Sequence, residues 1–169
     1  ENKLYPLLIG YEALRSQMSE DDQQAGDACV KQRGELHERS VKKSDHLTNR
    51  YSKHLRLLAL AGMILDRDEW QQAARDGVKR FVRGSLRADG TSLDLERRDS
   101  LGYHGSALRP PMQLAILAGD RGRTLYSWQA EDGGSLKKSV DYLVPYAMGE
   151  KVHREWVDTK VRLARERAK

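Results

Sequence analysis

The sequence has little of several features on which proteins of this size often depend. Cysteine occurs once, at Cys29, so an internal disulfide is ruled out. No apolar run approaches the roughly 18 residues of a membrane-spanning helix, and the polar start at Glu1 predicts no signal peptide. Histidines are scattered without metal-site spacing, and no G-x-x-x-x-G-K phosphate loop is present. We therefore predict no metal, no cofactor and no membrane span.

Charge, by contrast, is abundant. Charged residues make up 33% of the chain, the net charge is +5 and the pI is about 9.3. A basic surface favours polyanions, such as nucleic acid or an acidic polysaccharide. The chain lacks RNP, zinc-finger and helix-turn-helix signatures, so nucleic acid is not a predicted partner. Acidic residues interleave with most of the basic ones, and solvated helix faces also account for much of the charge.

Hydrophobic periodicity predicts an all-α chain that forms a single domain over residues 1–169. We expect helices over residues 3–17, 19–37, 49–65, 68–87, 110–118 and 135–147, a loop over 123–134, and a partly exposed helix from about 152. The helix from Asn49 is apolar over much of its circumference, which predicts an inner, buried helix. Helical hairpins with inner apolar and outer amphipathic members are typical of an α/α barrel or toroid.

One stretch, from Asp89 to His104, joins two helical regions without an amphipathic helical pattern of its own. Asp89-Gly90 is a turn signal, and residues 92–95 alternate polar and apolar as a short extended segment does. Two arginines, a tyrosine and a histidine follow closely. Connecting segments often carry function. The plainer alternative is that the arginines are solvated and the tyrosine packs in the core.

The same stretch resembles the active-site segment of the alginate lyase family of polysaccharide lyases. It reads D-G-T-S-L-D-L-E-R-R-D-S-L-G-Y from Asp89 to Tyr103, where the family has D-G-S-x-x-L-E-L-x-R-x-x-S-L-x-Y. The similarity covers about residues 45–148. It implies an incomplete α/α toroid with a long cleft, of which this chain is the C-terminal part. It also implies a periplasmic or secreted location.

Members of this family cleave a uronic-acid polysaccharide by β-elimination, so the resemblance implies roles for particular residues. Arg97 and Asn49 would neutralise the uronate carboxylate, and Tyr103 would act as acid and base. A guanidinium fork binds a carboxylate with two hydrogen bonds, which suits the first role. Asn49 has a simpler alternative role as a helix cap.

The family's histidine, which follows the asparagine, is absent here, because Arg50 occupies that position. His46, His54 and His104 are the nearby candidates for its role, although an isolated histidine is more often structural.

Four further residues are candidates for binding an anionic polysaccharide. Arg50 and Arg98 could contact carboxylates, while Tyr126 and Trp128 could stack on sugar rings or pack in the core. Two other functions stay open beside the lyase. One is a non-catalytic polysaccharide-binding helical module, favoured by the missing histidine, and the other is a helical scaffold for a protein partner.

Overall fold

The computed structural model describes residues 3–167, and the regular elements in that range are helical apart from two isolated β-bridges. The α-helices are α1 (Leu4–Leu14), α2 (Glu20–Lys43), α3 (Asn49–Ile64), α4 (Asp68–Ser85), α5 (Leu93–Arg98), α6 (Leu101–Leu117), α7 (Asp120–Ser127), α8 (Leu136–Ala147) and α9 (Arg162–Arg167). A 3-10 turn, Arg15–Gln17, follows α1. The all-α prediction is confirmed, and the helices follow one another as serial hairpins of the α/α toroid type.

Helix α3 is the centre of the molecule and packs against α2, α4 and α6. Leu55, Leu57 and Leu58 point in different directions around its axis, yet each is fully buried. Burial of each such side chain stabilises the fold by about 1.5–3 kcal/mol. A helix apolar around most of its circumference must be enclosed by others, so the prediction of an inner helix is confirmed.

Helix α2 lies on the outside, as its thin apolar face predicts. Ser19 caps it by accepting a hydrogen bond from the Asp22 N–H at 3.2 Å. Its buried positions are spaced as one stripe, namely Val30, Gly34, His37 and Val41. Because this stripe continues to Val41, the helix extends to Lys43, beyond its predicted end at His37. The indole of Trp70 on α4 lies so close to Gly34 that a Cβ there would be 2.1 Å from the ring.

Two helix connections have the same construction, in residues 86–93 and 129–136. Each contains an Asp-Gly turn, with D-G-T-S-L in the first and D-G-G-S-L in the second. Gly90 and Gly133 both have φ of +88°, which favours glycine. The serines that follow, Ser92 and Ser135, cap α5 and α8 with their hydroxyl groups. An isolated bridge closes each connection, so one supersecondary unit occurs twice.

Residues 92–95, predicted to be extended, instead begin a helix. Ser92 accepts a hydrogen bond from the Leu95 N–H at 3.3 Å and so caps α5. Asp94 and Glu96 lie in the first turn, where a helix favours negative charge. The alternation of polar and apolar residues does not mark two faces here, because polar Asp94 and apolar Leu95 are both buried.

The start of α6 was also predicted wrongly. Pro110-Pro111 was expected to begin the helix, but α6 begins at Leu101 and contains both prolines. Ser100 caps it by accepting from the Tyr103 N–H at 3.2 Å. Each proline removes one backbone hydrogen bond within the helix. Burial of both proline rings, together with that of neighbouring apolar residues, compensates for this loss.

Two predictions in the last third of the chain differ from the structure. The expected loop over 123–134 is helical as far as Ser127, because α7 packs closely on α6 at Gly122, where a Cβ would lie 1.7 Å from the Ala115 carbonyl oxygen. The expected helix from Val152 is irregular to Val161, and only Arg162–Arg167 is helical. Hydrogen bonds from Trp156 N–H to the Asp99 carbonyl and from Lys160 N–H to the Arg97 carbonyl hold this irregular segment at the end of α5.

Candidate functional site

Residues of α3 and α6 line a cleft made of three adjoining cavities, which we call the central cleft. The largest, the basic cavity, measures about 500 Å³ and is lined by Asn49, Arg50, Lys53, Arg98, Tyr103, Leu163 and Ala164. The second, of about 360 Å³, is lined by Ser100, Gly102, Tyr103, Ser106, Glu155 and Trp156. The third, of about 330 Å³, is lined by Tyr5, Pro6, Lys53, Arg56, Ser106, Arg109, Pro110 and Gln113. Shared lining residues join the three cavities.

The carboxylate of Asp94 connects the elements that form the basic cavity. It is 1% exposed and accepts a hydrogen bond from the backbone N–H of Asn49 at 2.7 Å. The carboxylate therefore pairs with the first backbone N–H of α3, because the Thr48 side chain makes no capping bond there. Arg98 Nε lies 3.7 Å from Asp94 Oδ1. Burial raises the pKa of Asp94, while the Asn49 N–H and Arg98 act in the opposite direction.

Asn49 is the first residue of α3 and is not its N-cap, so the simpler interpretation of this residue does not apply. Its side-chain Nδ2 donates to Ser106 Oγ at 3.4 Å. This contact ties the start of α3 to α6 and holds the amide at the wall of the basic cavity. An amide in this position can donate a hydrogen bond to a carboxylate.

Tyr103 lies in the first turn of α6, with the Arg98 guanidinium 4.2 Å from the centre of its ring. Arg50 and Lys53 line the same cavity from α3. Three cations in one cavity, whose described lining contains no acidic residue, produce a positive potential. Such a cavity attracts an anionic ligand.

Arg97 and Arg98 have different surroundings. The Arg97 side chain is exposed and is not part of the cavity lining, whereas Arg98 is partly buried and is part of it. Adjacent residues on a helix point about 100° apart, so only one of the two can face α6. Arg98, predicted from the sequence to bind substrate, therefore lies where Arg97 was expected to act. The backbone carbonyl of Arg97 accepts hydrogen bonds from Lys160 N at 2.9 Å and Thr159 Oγ1 at 3.4 Å.

None of the candidate histidines is among the described residues that line the central cleft. His54 faces α2, where its Nδ1 lies 2.9 Å from Nδ1 of His37. Burial, with the neighbouring His54, lowers the pKa of His37 to about 4. His46 is exposed between α2 and α3. Tyr103, by contrast, lines the basic cavity.

His104 is fully buried although it follows Tyr103 directly. Its Nδ1 lies 2.7 Å from Ser92 Oγ, and its Nε2 lies 3.2 Å from the Ser139 carbonyl oxygen. Burial lowers the pKa of this imidazole. These contacts join α6 to the cap of α5 and to α8, which is a structural position away from the basic cavity.

The aromatic residues predicted to bind sugar do not lie in the central cleft. Tyr126 lines a separate cavity of about 400 Å³ with Met112 and Ile116. Trp128 is partly buried beneath Arg83, whose guanidinium carbon is 4.9 Å from the ring centre. Both were expected on one loop, but α7 carries Tyr126 against α6.

Among the cleft residues that the sequence interpretation did not select are Lys53, Glu155 and Trp156. Lys53 had a signal, because it follows Asn49 by one helical turn and so shares its face. Glu155 and Trp156 had none, because an irregular segment brings them back to α6 after α8 has ended.

Within residues 3–167, no group of three or more histidine, cysteine, aspartate or glutamate side chains could hold a metal ion. Across the same range, no helix has the length and apolar character needed to cross a membrane.

The fold and the cleft together define an all-α protein of the toroid class, with a basic cleft that contains a tyrosine. A family model described as alginate lyase matches residues 16–153, which is most of the chain. The protein therefore belongs to the alginate lyase family. Neither the curated proteins nor the solved structures yield a significant match.

Proposed function

We propose that the protein is a polysaccharide lyase that cleaves a polyuronate, such as alginate, by β-elimination. The observation that carries this proposal is the meeting of Asn49, Arg98 and Tyr103 in one basic cavity. Family membership supports the reaction class. The cations favour an anionic polymer over a neutral one.

The first task of such an enzyme is to neutralise the uronate carboxylate, so that the proton on C5 becomes acidic. Arg98 suits this task, because Asp94 and the Tyr103 ring position its guanidinium at the cavity. The Asn49 amide can supply a further donor. Preorganised donors of this kind are usually the largest contribution to catalysis.

The second task is proton transfer, which we assign to Tyr103. Its ionised phenol takes the C5 proton, and the electrons of that C–H bond form the C4=C5 double bond as the C4–O4 bond breaks. The phenol then returns the proton to the leaving O4. The Arg98 guanidinium carbon lies 4.2 Å from the centre of this ring.

A single acid–base group favours a substrate in which the C5 proton and O4 lie on the same face of the ring. In β-mannuronate they do, whereas in its C5 epimer guluronate they lie on opposite faces. Since no described residue of the cleft lining is a histidine, we propose a preference for mannuronate blocks. Such polymers lie outside the cytoplasm, so we also propose that the protein acts in the periplasm or outside the cell.

The test is the ultraviolet absorbance of the unsaturated product after mixing the protein with polymannuronate, polyguluronate or alginate. We expect a rise that is fastest on polymannuronate and that falls by about 10²-fold or more in Tyr103→Phe, because general acid–base catalysis contributes that much. Asn49→Ala should retain part of the activity. A Tyr103→Phe variant as active as the wild type would refute the assignment.

A non-catalytic polysaccharide-binding module is the second candidate, and Arg50 in place of the family's histidine is the observation that favours it. Retained binding of polymannuronate without any unsaturated product would establish this alternative. Loss of binding in Arg50→Ala, compared with the wild type, would then identify Arg50 as a ligand of the polymer.

A further inference from the structure

The segment between α8 and α9 forms one wall of the central cleft. Residues 152–161, the C-terminal strap, lack regular structure and are hydrogen-bonded to α5 and α6. Lys160 N–H donates to the Arg97 carbonyl of α5 at 2.9 Å. Glu155 Oε1 accepts from the N–H groups of Leu101 and Gly102, at 3.0 and 3.4 Å, at the start of α6.

One residue of the strap, Trp156, has a strained backbone. Its φ of +65° lies in the left-handed region, which bulky side chains rarely adopt. Asp99 enforces this conformation, because its carbonyl accepts from Trp156 N–H at 2.7 Å and its Oδ2 accepts from Asp158 N–H at 2.8 Å. Backbone strain maintained by its surroundings clusters at sites where it positions a functional group.

The left-handed backbone conformation of Trp156 places its indole at the cleft beside Tyr103. Both rings line the cavity of about 360 Å³, which adjoins the basic cavity at Tyr103. The indole is partly exposed, and its Nε1 is buried without a hydrogen-bond partner among the residues that the structure describes. No described hydrogen bond of the indole therefore accounts for its position.

We propose that Trp156 is a stacking platform for the sugar ring next to the uronate whose carboxylate the basic cavity binds. The proposal rests on the proposed function, because it assumes a polyuronate in the cleft. A pyranose ring presents a face of C–H groups, which an indole covers well through apolar contact. The Glu155 carboxylate on this wall does not oppose an anionic polymer strongly, since two N–H groups at the positive end of α6 bind it.

Trp156 lies beyond residue 153, where the family match ends. The proposed platform therefore lies outside the part of the chain that matches the family.

The experiment measures binding of a mannuronate tetramer by calorimetry, with all variants made in the Tyr103→Phe background so that the ligand is not cleaved. Trp156→Gly removes the ring, and glycine suits a φ of +65°, so this change adds no backbone strain. Trp156→Tyr keeps an aromatic ring. Val157→Ala is the matched control on the strap, because Val157 is 66% exposed and does not line the cleft. Circular dichroism melting verifies that each variant is folded.

We expect Trp156→Gly to raise Kd about tenfold, Trp156→Tyr to restore it to within about threefold, and Val157→Ala to leave it unchanged. Equal affinity of the Trp156→Gly variant and its parent would overturn the platform, as would the absence of tetramer binding by the parent. The two proposals fail separately. Trp156→Gly is also made in the chain that retains Tyr103, and unsaturated product formed by that variant with an unchanged KM would refute the platform alone. Tetramer binding that depends on Trp156, together with no unsaturated product from the chain that retains Tyr103, would refute the lyase proposal alone.

Discussion

Replacing Arg98 and Arg97 one at a time tests which arginine binds the uronate carboxylate. The resemblance to the family implies Arg97, but the structure places Arg98 in the basic cavity and leaves the Arg97 side chain exposed. We expect Arg98→Ala to lower kcat/KM on polymannuronate much more than Arg97→Ala does. The two variants are matched, because both remove one arginine from the last turn of α5.

The magnitude follows from the bond that is lost. A hydrogen bond to a charged group contributes about 1.5–3 kcal/mol, which corresponds to a loss of roughly 10- to 150-fold in kcat/KM. Arg97→Ala should cost less than about threefold, since an exposed charge outside the cavity acts only through a screened field. Arg98→Lys should recover part of the loss, because lysine keeps the charge without the planar fork.

Arg98→Ala also affects stability, and a second variant separates the two effects. Asp94 is 1% exposed and loses the cation 3.7 Å away, but because Arg98 itself is 29% exposed we expect a cost of only about 1 kcal/mol. Asp94→Asn keeps an oxygen for the Asn49 N–H and removes the charge. In that background Arg98→Ala should cost almost no stability while it still lowers activity.

The assays are urea unfolding for stability and product absorbance for kcat/KM. A larger loss of activity in Arg97→Ala than in Arg98→Ala would refute the placement of Arg98 as the carboxylate ligand. If Arg98→Ala costs as much stability in the Asp94→Asn background as in the wild type, the argument from the buried carboxylate is refuted.

Three further predictions concern stability. Burial holds the pKa of His37 near 4, below its ordinary 6.5, so the unfolded chain binds a proton that the folded chain excludes. Stability should be full above about pH 6.5 and fall toward pH 4 by at most about 1.4 kcal/mol per unit, and His37→Gln should flatten this dependence in urea unfolding. Gly90→Ala should destabilise by about 2 kcal/mol or more, because φ is +88° and a Cβ would lie 2.6 Å from the Lys138 carbonyl oxygen. Gly105→Ala on α6, with nothing within 4 Å, should stabilise by about 0.5–1 kcal/mol, and thermal melts in the reverse order would contradict both glycine arguments.

Local signals in the sequence predicted the helices well where capping and periodicity agreed. Ser19 and the acidic residues that follow it define the start of α2, and the apolar circumference of α3 predicts its central position. The same signals failed at Pro110-Pro111, where a proline pair typical of a helix start lies inside α6. There the cap at Ser100 and the burial of the prolines decide the boundary, and that burial is a property of the tertiary structure.

The candidate site, too, was predicted only in part from the sequence. Asn49, Arg50, Arg98 and Tyr103 were chosen from the sequence, and the structure brings them together at one cavity. His54 and His104 were chosen for their proximity in sequence, but each faces a different neighbour, His37 in one case and Ser92 in the other. Proximity along the chain does not fix the direction in which a helical side chain points.

The sequence by itself determined the helical class, the buried central helix and the family, because periodicity and a contiguous motif are local properties of the chain. Only the tertiary structure decided which arginine of α5 enters the cleft and that Trp156 lies beside Tyr103. Those two results depend on the rotation of a short helix and on a strap bonded to residues more than fifty positions away. Such contacts are set by packing and long-range hydrogen bonds, which leave no periodic trace in the sequence.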